Sequence, residues 1–99
     1  MLLIRDVFRC KPGQAKVLIE QFKKAIPLMM EGTGTEGKFR ILVDYMATYW
    51  TVVIESEVES LAEFEKRMSE MQPGEEAQKA MEGYMDNVDS GYREVFKIV

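Results

Sequence analysis

The chain has 99 residues and a mass of 11.4 kDa; 46% of the residues are hydrophobic and 30% are charged. This balance is typical of a globular domain and excludes disordered and collagen-like chains. An excess of acidic over basic side chains gives an isoelectric point of 4.9, which argues against a nucleic-acid-binding protein.

No apolar run approaches the roughly 18 residues that a membrane-spanning helix needs. The first four residues, Met-Leu-Leu-Ile, are followed at once by Arg5 and Asp6, unlike a secretory signal. We therefore expect a single cytoplasmic domain over residues 1–99, without a membrane or nucleic-acid partner.

The sequence contains no histidine and only one cysteine, Cys10. The lack of histidine excludes Ser-His-Asp triads, histidine-ligated haem and the usual zinc sites. A single cysteine allows no disulfide within the chain and no thiolate metal cluster. We therefore expect no metal and no cofactor, and we interpret Cys10 as a small buried hydrophobic residue.

The first part of the chain predicts a strand followed by a helix. Residues 2–10 alternate as a strand does, with Leu2, Ile4, Phe8 and Cys10 on one face. Lys11-Pro12-Gly13 breaks this strand and begins a helix that runs from Gln14 to about Met30. Its apolar stripe consists of Ala15, Leu18, Phe22, Ala25, Ile26 and Met29. Pro27 is expected to kink or end the helix early.

Residues 32–37 read Gly-Thr-Gly-Thr-Glu-Gly, which matches the glycine spacing of a dinucleotide-binding loop. That loop requires a strand before it and a helix after it. Here a predicted helix precedes it and a predicted strand follows, so we interpret the segment as a plain loop.

The second part predicts two strands, a broken helical region and a last strand. Lys38–Met46 and Tyr49–Glu57 form a hairpin that turns around Ala47-Thr48. Ser60-Leu61-Ala62-Glu63 is a capping box. It begins a helix with the stripe Leu61, Phe64, Met68 and Met71, which Gln72-Pro73-Gly74 interrupts. A second helical piece carries Ala77, Met81, Tyr84 and Val88, and Ser90-Gly91 ends it before a strand over Tyr92–Val99.

The resulting order, β-α-β-β-α-β, predicts an α+β ferredoxin-like fold with two helices on one face of a four-stranded antiparallel sheet. The central strands contain Ile41-Leu42-Val43 and Val52-Val53-Ile54, which are apolar on both faces. Since the helices cover one face only, we expect a second copy of the sheet to cover the other and form a homodimer.

Four segments resemble the dimeric α/β-barrel superfamily. They are Lys11-Pro12-Gly13, Tyr49-Trp50-Thr51-Val52-Val53, the helix start Glu59–Glu65 and the ending Ser90-Gly91-Tyr92-Arg93-Glu94-Val95-Phe96. Within the superfamily the pattern is most similar to NIPSNAP-like domains, and the antibiotic-biosynthesis monooxygenase branch is also similar. The resemblance implies two sheets packed into a barrel, with a ligand cleft between sheet and helices in each subunit.

The first strand departs from the NIPSNAP-like pattern. That pattern places a Glu and an Arg in alternation with an aromatic residue, whereas this chain has Ile4, Asp6 and Phe8 at those spacings. Only the aromatic residue is kept. The haem-degrading branch needs a histidine ligand, so the resemblance does not extend to haem chemistry.

Asp6 is the candidate catalytic residue, because it lies on an otherwise apolar strand face where desolvation would raise its pKa. The alternative is an ion pair with Arg40 or Arg93. The candidate ligand-binding residues are Phe8, Arg40, Tyr45, Trp50 and Tyr92. Aromatic side chains near strand ends can stack on a planar ligand.

Two functional hypotheses remain. The first is a homodimeric domain that binds a small apolar or aromatic ligand without chemistry of its own. The second is a cofactor-independent monooxygenase or isomerase acting on an aromatic or polyketide-like substrate. An RNA-recognition motif is excluded, because Tyr49–Ile54 lacks the Lys/Arg-Gly-aromatic pattern of that fold's third strand.

Overall fold

The computed structural model describes residues 1–30, 38–71 and 74–99. In chain order the elements are β1 (Leu2–Cys10), α1 (Ala15–Met30), β2 (Phe39–Val43), β3 (Thr51–Val58), α2 (Leu61–Glu70), α3 (Glu75–Ala80), a 3-10 helix (Tyr84–Asn87) and β4 (Val88–Lys97). Within these residues the strands form one antiparallel sheet in the spatial order β2-β3-β1-β4. The predicted α+β ferredoxin-like fold is confirmed.

The turn between β1 and α1 forms where the sequence predicts it. Gly13 has a φ of +79°, a left-handed conformation that glycine adopts without steric cost. The backbone N–H of Gln14 donates to the carbonyl of Lys11 at 2.9 Å, which closes the turn. The chain therefore leaves the central strand and immediately enters the helix that covers it.

Among the described elements, helix α1 contributes the largest number of buried residues to the core. Its buried residues are Ala15, Leu18, Phe22, Ala25, Ile26 and Met30. All of them except Ala25 form one hydrophobic cluster with Cys10, Val52 and Ile54 of the sheet. The predicted stripe is thus confirmed, although Met30 rather than Met29 is its last buried member.

Of the two effects expected of Pro27, a kink or an early end of α1, the early end is wrong, because the helix continues to Met30. Pro27 cannot donate to the carbonyl of Lys23. Both residues are exposed, so the carbonyl without a helical partner lies on the solvent side of the helix.

Helix α2 begins at the predicted capping box. The Ser60 hydroxyl accepts from the backbone N–H of Glu63 at 3.1 Å. The Glu63 carboxylate accepts from the backbone N–H of Glu59 at 3.3 Å, one residue before the cap itself. These bonds satisfy donors that the first helical turn leaves free.

The connection between β2 and β3 is longer than predicted and spans residues 44–50. The Asp44 carboxylate accepts from the backbone N–H of Thr51 at 2.9 Å, and the backbone N–H of Asp44 donates to the Thr51 carbonyl. These two hydrogen bonds end the pairing of β2 with β3 immediately after Val43. Trp50, with a φ of 61°, takes a left-handed conformation just before β3.

The prediction that Ser90-Gly91 ends a helix is also wrong. The helical region ends in the 3-10 turn at Asn87, and both residues lie inside β4. Gly91 pairs with Phe8, and a Cβ there would lie 3.0 Å from the Val7 carbonyl oxygen. The glycine therefore permits close strand approach. The predicted loop over 32–37 and the break at residues 72–73 lie outside the described residues.

From the packing of α1 we expect substitutions at two neighbouring positions to differ strongly in their effect on the free energy of unfolding. Leu18 is fully buried, whereas Val17 is 45% exposed. We expect Leu18→Ala to lower the free energy of unfolding by about 2–5 kcal/mol, because it removes buried methyl groups and leaves a cavity. Val17→Ala should change it by less than about 0.5 kcal/mol. Urea denaturation of both variants tests this, and equal losses would contradict the described packing.

Candidate functional site

The two faces of the sheet have different surroundings. Residues such as Phe8, Val52 and Ile41 point toward α1 and belong to the core or pack on it. Alternate residues of the same strands point the other way, to a face that we call the open face. On it lie Leu3, Arg5, Val7 and Arg9 of β1; Val53 and Glu55 of β3; Arg40 and Leu42 of β2; and Tyr92, Glu94 and Phe96 of β4.

An apolar cleft of about 290 Å³ lies between α1 and β2 on the helix-covered face. Among the described residues, its lining consists of Phe22, Lys23, Ile26, Pro27, Met30, Phe39 and Ile41. Lys23 is the single charged side chain among them. Its amino group is 3.9 Å from the Glu20 carboxylate, and both side chains are well exposed, so this pair leaves the lysine largely to solvent.

Asp6 also lies on the helix-covered face, where it pairs with Arg93 of the neighbouring strand. Arg93 Nε donates to Asp6 Oδ1 at 2.5 Å, and Nη2 is 3.4 Å from Oδ2. The Arg93 guanidinium also stacks 5.0 Å above the centre of the Phe64 ring of α2. The side chains of Asp6 and Arg93 remain 29% and 47% exposed. Of the two predicted partners, the structure therefore selects Arg93.

Four charged side chains form a row across the open face, which we call the charge ladder. It consists of Arg40 of β2, Glu55 of β3, Arg5 of β1 and Glu94 of β4. Arg40 Nη2 donates to Glu55 Oε1 at 2.6 Å, Arg5 Nε to Glu55 Oε2 at 2.9 Å and Arg5 Nη1 to Glu94 Oε1 at 3.0 Å. The ladder pairs every strand with its neighbour.

An apolar row lies next to the charge ladder. Leu42, Val53, Val7 and Tyr92 are opposite one another in the order of the strands. The two central valines are buried, while Leu42 is 38% and Tyr92 57% exposed. The open face therefore combines an apolar row with a neutral row of alternating charges.

A larger polar groove of about 560 Å³ lies at the end of β3. There β3 continues past Ser56, the last residue that pairs with β2. Both acidic and basic side chains line it, including Lys38, Glu57, Glu63 and Arg67. This mixture of charges defines no single ligand chemistry.

The structure does not gather the predicted site residues into one site. Asp6 and Phe8 lie on the helix-covered face, whereas Arg40 and Tyr92 lie on the open face. Tyr45 and Trp50 belong to the connection between β2 and β3, where Tyr45 is almost fully exposed. Phe8 packs against the cleft, since its ring centre is 5.1 Å from that of Phe22, a lining residue.

The helical stripe predicted that Phe22 and Ile26 lie in the core, but it did not predict that they also line a cleft. Phe22, Ile26 and Met30 follow a helical stripe, which does not distinguish a filled core from a cleft. The charge ladder was missed for another reason: pairing Arg5 and Arg40 with Glu55 requires the strand order β2-β3-β1.

Cys10 lies in the core, as predicted. Burial raises the pKa of its thiol, and the nearby carboxylates of Asp89 and Asp44 raise it further. Such a thiol is a poor nucleophile at neutral pH.

Among the described residues, no group of three or more Cys, Asp or Glu side chains is arranged to hold a metal ion, and no helix is long and apolar enough to cross a membrane.

Comparison with known proteins identifies relatives in fold. No protein-family model matches the sequence. No curated protein matches it either. A NIPSNAP family protein from Agrobacterium tumefaciens is similar in structure, with a TM-score of 0.80 and 11% identity over 99% of this chain and 92% of that one. A NIPSNAP domain protein from Burkholderia xenovorans gives 0.74 and 9% identity over 100% and 95%.

A putative antibiotic biosynthesis monooxygenase from Chloroflexus aurantiacus is less similar, with a TM-score of 0.63 and 14% identity over 99% of this chain and 92% of that one. Both branches of the predicted resemblance are thus found among the structural relatives. At these identities the likeness shows the shared fold.

The Asp6–Arg93 pair should contribute measurable but modest stability, because both groups are partly exposed. In a double-mutant cycle of Asp6→Asn and Arg93→Gln, we expect a coupling of about 0.5–1 kcal/mol in the free energy of unfolding. A cycle of Glu20→Gln and Lys23→Gln, whose charged atoms are 3.9 Å apart, serves as the control and should give less. Equal couplings in urea denaturation would contradict a specific role of the Asp6 pair.

Proposed function

We propose that this protein is a homodimeric NIPSNAP-like domain that binds a small apolar or aromatic ligand in the cleft between α1 and β2. The cleft itself is the observation that supports this function. Of the seven described residues that line it, six are apolar, and it opens between the sheet and a helix, as the family resemblance implies. Ligand sites are usually concave and mostly apolar in this way.

The size of the cleft limits the ligand. A volume of about 290 Å³ is at the lower end of the range for small-molecule sites. Phe22 and Phe39 offer aromatic faces, and Met30 is a flexible, polarisable side chain that adapts to different shapes. A one-ring or two-ring aromatic compound, or a short alkyl chain, fits these properties.

The open face supports the dimer. Helices cover one face of the described sheet, whereas Leu42, Tyr92 and Phe96 remain exposed on the other. An antiparallel sheet that faces water on one side usually presents polar residues there. A second copy, packed sheet to sheet, would cover this apolar area in both subunits at once.

The alternative is a cofactor-independent monooxygenase or isomerase with Asp6 as acid or base. The fold shared with a putative antibiotic biosynthesis monooxygenase favours it. Against it, both Asp6 carboxylate oxygens are engaged by the Arg93 guanidinium, and Asp6 is not among the described residues that line the cleft. Ligand binding without chemistry is therefore the better-supported function.

Ligand binding can be tested with 1-naphthol as the probe. We expect its addition to shift the backbone NMR signals of cleft residues such as Phe22, Ile26 and Ile41. Ile26→Trp should weaken binding by at least about tenfold, because the larger side chain fills the cleft.

Val17→Trp is the matched control, since it places the same side chain on the exposed side of α1. It should bind 1-naphthol as the wild type does. Shifts confined to the open face, or equal binding by both variants, would refute the cleft as the ligand site.

The dimer can be tested by native mass spectrometry and sedimentation of the untagged protein. We expect a species of twice 11.4 kDa. Leu42→Asp should raise the dimer dissociation constant by at least about a hundredfold, because it buries an unpaired carboxylate in the interface. Val17→Asp, on the exposed side of α1, should leave the dimer intact. A wild-type monomer at micromolar concentration would refute the dimer.

A further inference from the structure

The order of charges in the charge ladder restricts the orientation in which a second copy can pack on the open face. Read from β2 to β4, its charges alternate as positive, negative, positive and negative, in Arg40, Glu55, Arg5 and Glu94. We propose that the two subunits pack with their two-fold axis parallel to the strands, so that Arg40 faces the partner subunit's Glu94. This inference rests on the proposed homodimer and specifies its geometry.

The direction of the two-fold axis determines which charges of the two ladders face each other. The proposed two-fold axis lies between the two facing sheets, runs along the strands and passes midway between β3 and β1. It reverses the order of the strands but keeps each row at its own level. Reversing an alternating row of four charges places every charge opposite one of the other sign. An axis that runs across the strands along the same row would instead place each Arg40 over the other subunit's Arg40. Opposite charges across an interface select the correct arrangement and oppose the wrong one.

The ends of the ladder have bonding capacity that its centre lacks. Glu55, whose side chain is only 10% exposed, accepts from two arginines, one on each oxygen. Arg40 remains 69% exposed and donates to a single carboxylate among the described residues. Glu94 uses Oε1 to accept from Arg5, and within the described residues its Oε2 has no partner.

Packing a second sheet on this face would remove water from both ends of the ladder. A buried charge without a partner is costly, and a guanidinium has five N–H donors to satisfy. Facing sheets are about 10 Å apart, a distance that an arginine and a glutamate side chain bridge together. The partner subunit's Glu94 would therefore supply a second acceptor for Arg40, beside Glu55 of its own subunit.

The same axis also suits the apolar row. It places Leu42 opposite the partner subunit's Tyr92, and Val53 opposite the partner subunit's Val7. Apolar side chains then meet apolar side chains, while the two edges β2 and β4 of opposite subunits approach each other. One operation thus accounts for both rows.

The experiment uses two charge reversals, Arg40→Glu and Glu94→Arg, in the full chain. Each variant alone brings like charges together twice in its homodimer. We expect each dissociation constant to rise by at least about tenfold over the wild type. Mixed in equal amounts, the variants should form a heterodimer with nearly wild-type affinity, because both facing pairs are then of opposite sign. Native mass spectrometry resolves the three dimers by mass.

The mixture separates the interface from effects within each subunit. Arg40→Glu also places a carboxylate beside Glu55, and Glu94→Arg places a guanidinium beside Arg5, but both repulsions persist in the heterodimer. Recovery on mixing therefore comes from contacts between subunits. Lys16→Glu and Glu65→Arg, at exposed positions of the helices, are the control pair and should form homodimers as the wild type does.

Each result has one meaning. Single variants that dimerise as the wild type does would overturn the proposed pairing, while the dimer itself would stand. Weak single variants that fail to form a heterodimer on mixing would overturn it as well. A monomeric wild type would refute the homodimer of the proposed function instead.

Discussion

A four-stranded sheet has two faces, and the helices in the described part of this chain lie on only one of them. The covered face holds the core, in which α1 packs on Val52 and Ile54. On the open face, Val53 and Val7 are buried by their neighbours, but Leu42 and Tyr92 at the sheet edges are not. This imbalance makes a second covering surface favourable, because apolar area buried there is removed from water. The two parts of the proposed function, a ligand cleft on the helix-covered face and a dimer interface on the open face, follow from this division.

The charge ladder is stable beside the apolar row because it is neutral and internally paired. Glu55 is almost buried, which would be unfavourable for a lone carboxylate, yet two arginines neutralise it. Such networks contribute more to the specificity of packing than to stability. The charge ladder therefore restricts which surface can cover the open face, whereas the apolar row alone could pack against many different apolar surfaces.

The element order and the helical stripe of α1 could be predicted because hydrophobic period and turn residues are local signals. What the sequence did not reveal depends on strand order. Asp6 had two candidate partners, and only the position of β4 beside β1 assigns Arg93. Ser90-Gly91 suggested a helix end, but Gly91 is required by the close approach of the Val7 carbonyl across the sheet. Tyr45 and Trp50 fall outside the strands because the Asp44 side chain ends β2 early.

The cleft and the open face meet in β2. This edge strand has five residues and pairs only with β3. Ile41 lines the cleft, whereas its neighbours Arg40 and Leu42 belong to the open face. A ligand bound in the cleft as proposed would contact Ile41, in the same short segment whose neighbours would face the proposed second subunit. The two proposed contacts are therefore adjacent along one short strand, so a shift of β2 that widens the cleft would also displace Arg40 and Leu42 on the open face.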